Sequence, residues 1–249
     1  MDLETRAGPT VTHARALWTE LAGVPAEFAS PADVVMAPGS LLCPPGWAGI
    51  VRIGDATLVT APDARSAEAL GAAARTLSYE ELTDPVQLGT ALSGTAPVLD
   101  VLGPATLCYL DGGRDAFVPA PAGGAGGTVE RVAGDADAVA ALLAAVGHDD
   151  AGESGLDEIT SPAFLLVDGG EVVAAAGYLS WPRSVAHLCV LVAPRHRGRG
   201  LARTVASAAV AHALDAGLLP QWRARPYASR RVAATLGFRD LGAQLSVRM

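Results

Sequence analysis

The segment of residues 185–214, VAHLCVLVAPRHRGRGLARTVASAAVAHAL, constrains the fold more than any other part of the chain. It begins as an apolar run of the kind found in strands buried on both faces, and Pro194 ends that run. An arginine- and glycine-rich loop follows and leads directly into an alanine-rich pattern that predicts a helix over residues 201–216. The segment therefore predicts a buried strand, a tight loop and a long helix in immediate succession, as in α/β folds.

The loop between this strand and this helix has the composition of a pyrophosphate-binding site. Gly198 and Gly200 allow backbone amides to approach a ligand with no side chain between them. The first turn of the helix offers unpaired N–H groups and the positive end of the helix dipole. We therefore expect a small phosphate-bearing anion here, close to a cluster of arginines: Arg195, Arg197, Arg199 and Arg203.

These residues resemble the pyrophosphate motif of the GNAT superfamily of N-acetyltransferases. That motif is Arg or Gln, two residues, Gly, one residue, then Gly or Ala, and residues 195–200 read R-H-R-G-R-G after the V-A-P of residues 192–194. Residues 229–238, SRRVAATLGF, resemble the family's fourth helix and its terminal L-G-F signature, and the spacing between the two motifs fits one helix and one strand. The resemblance covers roughly residues 128–249.

The resemblance implies a site for acetyl-CoA as cosubstrate. The strand of residues 188–192 is expected to separate from the strand of residues 221–225, with the pantetheine arm in the gap and an N–H near Val190 donating to the thioester carbonyl. It also implies direct attack by an amine, which needs a base for the ammonium proton and often an acid for the leaving thiolate. The expected cofactor-binding residues are Val190, Val192, Arg195, Arg197, Gly198, Arg199, Gly200 and Leu201.

The candidate acid and base each have a structural alternative. Family members often place a tyrosine acid four residues before the glycine of L-G-F, but Ala233 occupies that position. Tyr227 and Ser229 are candidates instead, although the first could be a surface aromatic and the second a helix cap. His187, on the central strand, is a candidate base if its pKa is unperturbed, and otherwise a core histidine.

The acceptor and metal predictions rest on fewer signals. Asp157 and Glu158 lie in a polar loop that commonly covers the acceptor in this fold, so they could bind a cationic amine or simply be solvated. Cys189 is interpreted as a small core residue. No paired-cysteine or H-x-x-x-H spacing occurs, so no metal site is expected.

Residues 119–127, PAPAGGAGG, predict a flexible linker between two domains. Residues 128–249 form the predicted acyltransferase domain, of order β-α-(α)-β-β-β-α-β-α-β, which is a mixed central sheet of the GNAT type with flanking helices. Residues 1–118 form a second, smaller α/β domain. Its stretch TLVTAPDARSAEALGAA repeats the strand–proline–helix rhythm without the loop glycines and arginines, so it is interpreted as a degenerate GNAT-like domain.

Two rival interpretations of the glycine loop fit the sequence poorly. A dinucleotide-binding fingerprint needs G-x-G-x-x-G and an acid about 20 residues on, whereas this loop reads G-R-G-L-A-R. A nucleic-acid contact would sit in a chain of net charge −8, which repels phosphate. The negative charge lies in residues 1–120, with 6 Arg against 14 acids, and residues 121–249 are balanced at 12 of each.

The sequence predicts an enzyme that transfers an acetyl group from acetyl-CoA to a primary amine of a small molecule or peptide. A catalytically degenerate CoA-binding sensor or interaction module, and a transferase for aminoacyl or long-chain acyl groups, remain as alternatives. No apolar run could span a bilayer and the N-terminal residues MDLETRAGPT lack a signal-peptide core. A cytoplasmic protein with no nucleic-acid or membrane partner, possibly a homodimer, is therefore expected.

Overall fold

The computed structural model describes residues 8–121 and 127–249. Its helices are α1 (Pro9–Ala22), α2 (Ala64–Ala74), α3 (Pro85–Leu92), α4 (Asp137–Ala145), α5 (His148–Ser154), α6 (Leu201–Asp215) and α7 (Tyr227–Thr235). Its strands are β1 (Asp33–Met36), β2 (Ala48–Ile53), β3 (Ala56–Ala61), β4 (Asp100–Tyr109), β5 (Glu130–Val132), β6 (Ala163–Asp168), β7 (Glu171–Trp181), β8 (Val185–Val192), β9 (Leu219–Ala224) and β10 (Arg239–Arg248). The predicted mixed α/β class is confirmed.

The chain divides into two compact units whose limits differ from the predicted domain limits. The first unit runs to Leu107 and also includes Asp240–Met249, and the second unit is Cys108–Arg239. The predicted linker, residues 119–127, coincides with neither crossing point, and its residues 122–126 lie outside the described part of the chain. Strand β10 belongs to the first unit because its buried side chains, Leu245 and Val247, pack in one core with α2 and α3.

The first unit is a five-stranded sheet in the order β1-β3-β2-β10-β4. The predicted hairpin at residues 54–55 joins β2 to β3, which pair antiparallel from Gly49↔Thr60 to Ile53↔Ala56. Side-chain caps start two of the helices that pack on this sheet: Asp63 accepts a hydrogen bond from the Ser66 amide at α2, and Asp84 from the Val86 amide at α3.

The second unit is a five-stranded sheet in the order β5-β6-β7-β8-β9. Neighbours from β5 to β8 pair antiparallel, while β8 and β9 pair parallel, with α6 as the crossover helix between them. Helices α6 and α7 pack on one face in a core that includes Leu188, Val205 and Trp222. Helix α4 and the turn before β6 pack on the other face with Cys189 and Leu191.

In residues 8–121 and 127–249 no helix has the length and apolar character to cross a bilayer. The same residues contain no group of three or more His, Cys, Asp or Glu side chains placed to hold a metal ion. Cys43, Cys108 and Cys189 are all free thiols.

Candidate active site

Strands β8 and β9 separate part-way along their length. They pair from Val185↔Leu219 to His187↔Gln221, and among the described residues the pairing stops there although both strands continue. A cleft of about 600 Å³ opens beyond this point, with Leu188, Val190 and Val192 on one wall. The separation expected between residues 188–192 and 221–225 is therefore present.

The backbone of Val190 faces this gap. The Ala193 amide donates to the Val173 carbonyl of the β7 side, and the Leu219 amide donates to the Ser184 carbonyl from the β9 side. Because backbone groups alternate between the two edges along a strand, even-numbered residues of β8 direct their N–H groups toward β9. The Val190 N–H lies beyond the last β8–β9 pair, so it points into the cleft instead of into a ladder.

The loop after β8 brings the amino end of α6 to the mouth of the cleft. Gly198 and Gly200 have φ of +76° and +82°, a conformation that favours glycine, and a Cβ at Gly198 would meet nothing within 4 Å. No side chain in the described part of the chain caps α6, and the Thr204 amide bonds back to the Gly200 carbonyl. The amides of Leu201, Ala202 and Arg203 are therefore available to an anion, and these three residues line the cleft.

The four clustered arginines separate into two pairs. Arg197 and Arg203 line the cleft, whereas Arg195 is exposed outside it and Arg199 turns back toward Asp168, with 3.5 Å from its Nη1 to the carboxylate. The expected cofactor contacts at Arg195 and Arg199 thus lie away from the cleft. The pyrophosphate motif also fits two residues later, as R-G-R-G-L-A over 197–202, and the helix start at Leu201 favours that register.

Arg203 is a cleft residue that belongs to the predicted arginine cluster but not to the expected cofactor-binding residues. Its Nε is buried and has no hydrogen-bond partner among the described residues, and its Nη2 lies 3.5 Å from the Pro119 carbonyl. A buried donor left unpaired costs free energy, so an anion at the start of α6 would satisfy it. Its position in the first helical turn after the glycines was the available signal. Two further arginines line the cleft, Arg223 and Arg231.

Helix α5 contributes the acidic residues of the cleft. Asp150 forms an ion pair with Arg197 at 2.8 Å, and Glu153 accepts from the Arg225 guanidinium, whose Nε lies 2.9 Å away. The sequence predicts a polar loop here, with Asp157 and Glu158 as candidate acceptor ligands. Those two are exposed in the turn Leu156–Glu158 and do not line the cleft. The acids that do line the cleft are not predicted, because the short helix that carries them has no strong sequence signal.

The structure separates the two candidate acids. Tyr227 is 68% exposed at the first position of α7, where the Arg230 guanidinium lies 5.5 Å from its ring, and it does not line the cleft. Ser229 lines the cleft and accepts a hydrogen bond of 2.9 Å from Nε1 of Trp222. Of the two predicted hydroxyl-bearing residues, Ser229 lines the cleft and Tyr227 does not.

His187 has the surroundings of a structural histidine. Its ring stacks on Trp181 at 4.2 Å between centroids, and its Nδ1 is hydrogen-bonded to Oε1 of Gln221. Burial, helped by the positive charge of Arg223, lowers the pKa of His187 to about 3. A conjugate acid of that strength makes the neutral ring a weak proton acceptor, so the structure disfavours the base role.

Cys189 remains a core thiol in the structure. It lies on the same face of β8 as Leu191 and packs beside Gly155, whose Cβ position is 3.3 Å from the sulfur. Burial raises its pKa to about 12. The thiolate needed for nucleophilic attack is therefore disfavoured.

Sequence comparison finds a family that resembles part of the chain. Residues 162–243 match the family model described as GNAT acetyltransferase. This part of the chain is similar to GNAT acetyltransferases. The matched region runs from just before β6 through the separated strands, the glycine loop and the L-G-F signature. A search of curated proteins finds no match.

Solved structures of the GNAT family resemble the chain at low sequence identity. A GNAT-family protein from Novosphingobium aromaticivorans is 21% identical, with a TM-score of 0.47 and coverage of 60% of this chain and 65% of that one. A GCN5-related N-acetyltransferase from Kribbella flavida is 19% identical, with a TM-score of 0.47 and coverage of 64% and 62%. The chain thus spans somewhat less than two thirds of the length of these two proteins. A ribosomal-protein-alanine N-acetyltransferase from Brucella melitensis is 19% identical, with a TM-score of 0.36 and coverage of 49% and 99%.

Proposed function

We propose that the chain is a cytoplasmic N-acetyltransferase that moves an acetyl group from acetyl-CoA to a primary amine of a small molecule or peptide. The proposal rests on two features that meet in one cleft. Among the described residues, the Val190 amide lies beyond the last β8–β9 pair, and the start of α6 at Leu201 has no side-chain cap. The first suits a thioester carbonyl and the second suits a pyrophosphate.

The residues present fit CoA in charge as well as in shape. The glycine loop leaves the amides of residues 201–203 open, and the buried Nε of Arg203 lacks a partner among the described residues. Arg197 and Arg231 add positive charge around the same end of the cleft. We propose that these groups hold the phosphates, while the apolar wall of Leu188, Val190 and Val192 lies along the pantetheine arm.

The chemistry requires little of the protein beyond positioning and charge stabilisation. The neutral acceptor amine attacks the thioester carbon, a C–N bond forms, and the C–S bond breaks. The Val190 N–H would stabilise the oxyanion that develops on the carbonyl oxygen. Ser229 is proposed to pass its hydroxyl proton to the departing thiolate while it takes up a proton from solvent, and solvent receives the proton that the attacking nitrogen loses once the C–N bond has formed.

Thiol release in the presence of candidate amines tests this function. The wild-type chain should release CoA from acetyl-CoA in a saturable, acceptor-dependent manner, detected with a thiol reagent across a panel of amines and peptides. Ser229→Ala should lower kcat about tenfold or more while Tyr227→Phe leaves it unchanged, because removing a proton donor typically costs a factor of 10²–10⁴ when no substitute exists. Equal activity in both variants would exclude Ser229 as the acid.

A catalytically degenerate CoA-binding module is the second candidate function. Ala233 stands where family members often carry a tyrosine acid, and Tyr227 lies outside the cleft. Under this alternative the chain binds CoA but releases no thiol with any amine. Comparing acetyl-CoA with longer acyl-CoA donors in the same assay also distinguishes acetyl transfer from transfer of a larger acyl group.

A further inference from the structure

Helix α5 is fastened across the cleft by one ion pair at each end. Near its start, Asp150 pairs with Arg197 of the cofactor loop at 2.8 Å, and near its end Glu153 pairs with Arg225 beyond β9. These two arginines belong to opposite sides of the gap between β8 and β9. Both acids line the cleft themselves, so α5 forms part of its rim.

Little else stabilises α5 in this position. It has seven residues, contains Gly152, and lies between Gly147 and Gly155. None of its residues is fully buried, and no side chain of the described residues caps it. A helix this short is marginal on its own, and its main packing partners are β8 and the turn that follows it. The ion pairs with Arg197 and Arg225 are therefore a main restraint on its place.

The Asp150 carboxylate competes for the same guanidinium as a bound phosphate would. Arg197 lines the cleft beside the open amides of α6, and its Nε also donates to the Val192 carbonyl at 3.2 Å, which fixes its direction. With Arg197 held in this way, one of its remaining N–H donors is engaged by an anion of the protein itself. A phosphate ligand must either replace that carboxylate or accept its repulsion.

We propose that α5 is a latch, in which Asp150 acts as an internal competitor for the phosphate-binding Arg197 and is displaced when the cosubstrate binds. The proposal rests on the proposed function, since it takes CoA as the ligand. The latch is weak, because both side chains of each ion pair are partly exposed and such pairs contribute little to stability. It therefore lowers affinity without blocking the site, and entry of the ligand loosens α5 at the rim of the cleft.

The test compares the wild-type chain with two variants, each of which lacks one negative charge. Asp150→Asn removes the competing carboxylate, and Asp149→Asn removes an exposed charge from the neighbouring position as the matched control. Calorimetry with CoA, and separately with inorganic pyrophosphate, should show Asp150→Asn binding about two- to fivefold more tightly than wild type at low salt, as expected for an exposed pair. Asp149→Asn should show less than half of that gain, and the difference should shrink in high salt.

Hydrogen exchange supplies a readout that does not depend on affinity. Amides of α5 should exchange faster in Asp150→Asn than in wild type or Asp149→Asn, and faster in wild type when CoA is bound. Equal binding of both ligands by all three chains, or equal gains from both substitutions, overturns the latch and leaves the proposed function intact. If none of the chains binds CoA but pyrophosphate still prefers Asp150→Asn, the proposed function fails while the competition at Arg197 stands.

Discussion

Gly237, the glycine of the L-G-F signature, explains how the chain turns after α7. Its φ is +93°, and a Cβ built there would lie 1.9 Å from the Ala116 carbonyl oxygen. The segment after Ala116 runs directly over this glycine, since the Val118 amide donates to the Leu236 carbonyl. Phe238 then turns inward and meets Trp222 edge-on at 5.7 Å. The glycine therefore permits a close backbone approach that places the aromatic pair beneath the cleft.

Substitution of this glycine should destabilise the second unit strongly. We expect Gly237→Ala to lower the free energy of unfolding by about 2–4 kcal/mol, because left-handed strain and forced displacement of the Ala116 backbone act together. Urea denaturation followed by circular dichroism measures the change. Gly217→Ala is the matched control, because Gly217 has φ of +72° but open space at its Cβ position. An equal loss in both variants would show that φ alone matters.

His187 is a second residue whose surroundings predict a measurable property. In the unfolded chain the imidazole binds a proton below about pH 6.5, whereas burial holds the pKa in the folded chain at about 3. Between these values the unfolded state binds more protons. The free energy of unfolding therefore decreases as the pH is lowered through this window, by at most about 1.4 kcal/mol per pH unit for one group.

A variant that cannot titrate isolates this contribution from that of the carboxylates. His187→Phe preserves a ring against Trp181 and should lose less stability than wild type between pH 7 and pH 4, by about 1–3 kcal/mol. Denaturant unfolding at the two pH values measures the difference. Parallel pH profiles for wild type and His187→Phe would contradict the assigned environment.

At the scale of elements, the sequence predicts regular segments well and side-chain aim poorly. The strand, loop and helix around Gly198 and Gly200 were predicted because apolar periodicity, proline and glycine act locally. Arg195 and Arg197 both fit the first motif position, and only the helix start at Leu201 selects between them. The sequence predicts a loop in place of helix α5, because its polar, glycine-containing residues form no apolar face. Its place over the cleft depends on partners distant in sequence.

At the scale of the whole molecule, local composition misplaced the division of the chain. The run of glycine and alanine at residues 119–127 suggested a boundary, but Cys108 and Leu110 pack in the core of the second unit. The chain also returns to the first unit after Arg239, which a pattern read along the sequence does not reveal. The interpretation of residues 1–118 as a degenerate GNAT-like domain remains a prediction.

We propose that the start of α6 and the gap beside Val190 form one binding site for acetyl-CoA. Calorimetry of acetyl-CoA with wild type, Ala202→Glu and Ala202→Gln tests it most directly. An acid in the first turn suits the helix dipole, so Ala202→Glu should fold while placing a negative charge against the phosphates, and Ala202→Gln matches its size without that charge.

We expect one molecule of acetyl-CoA to bind to each wild-type chain. Ala202→Glu should bind at least about tenfold more weakly, since a like charge brought against phosphate at this position should cost about 1.4 kcal/mol or more. Ala202→Gln should stay closer to wild type. No binding by the folded wild-type chain, or equal binding by the acidic and neutral variants, would contradict the assigned site.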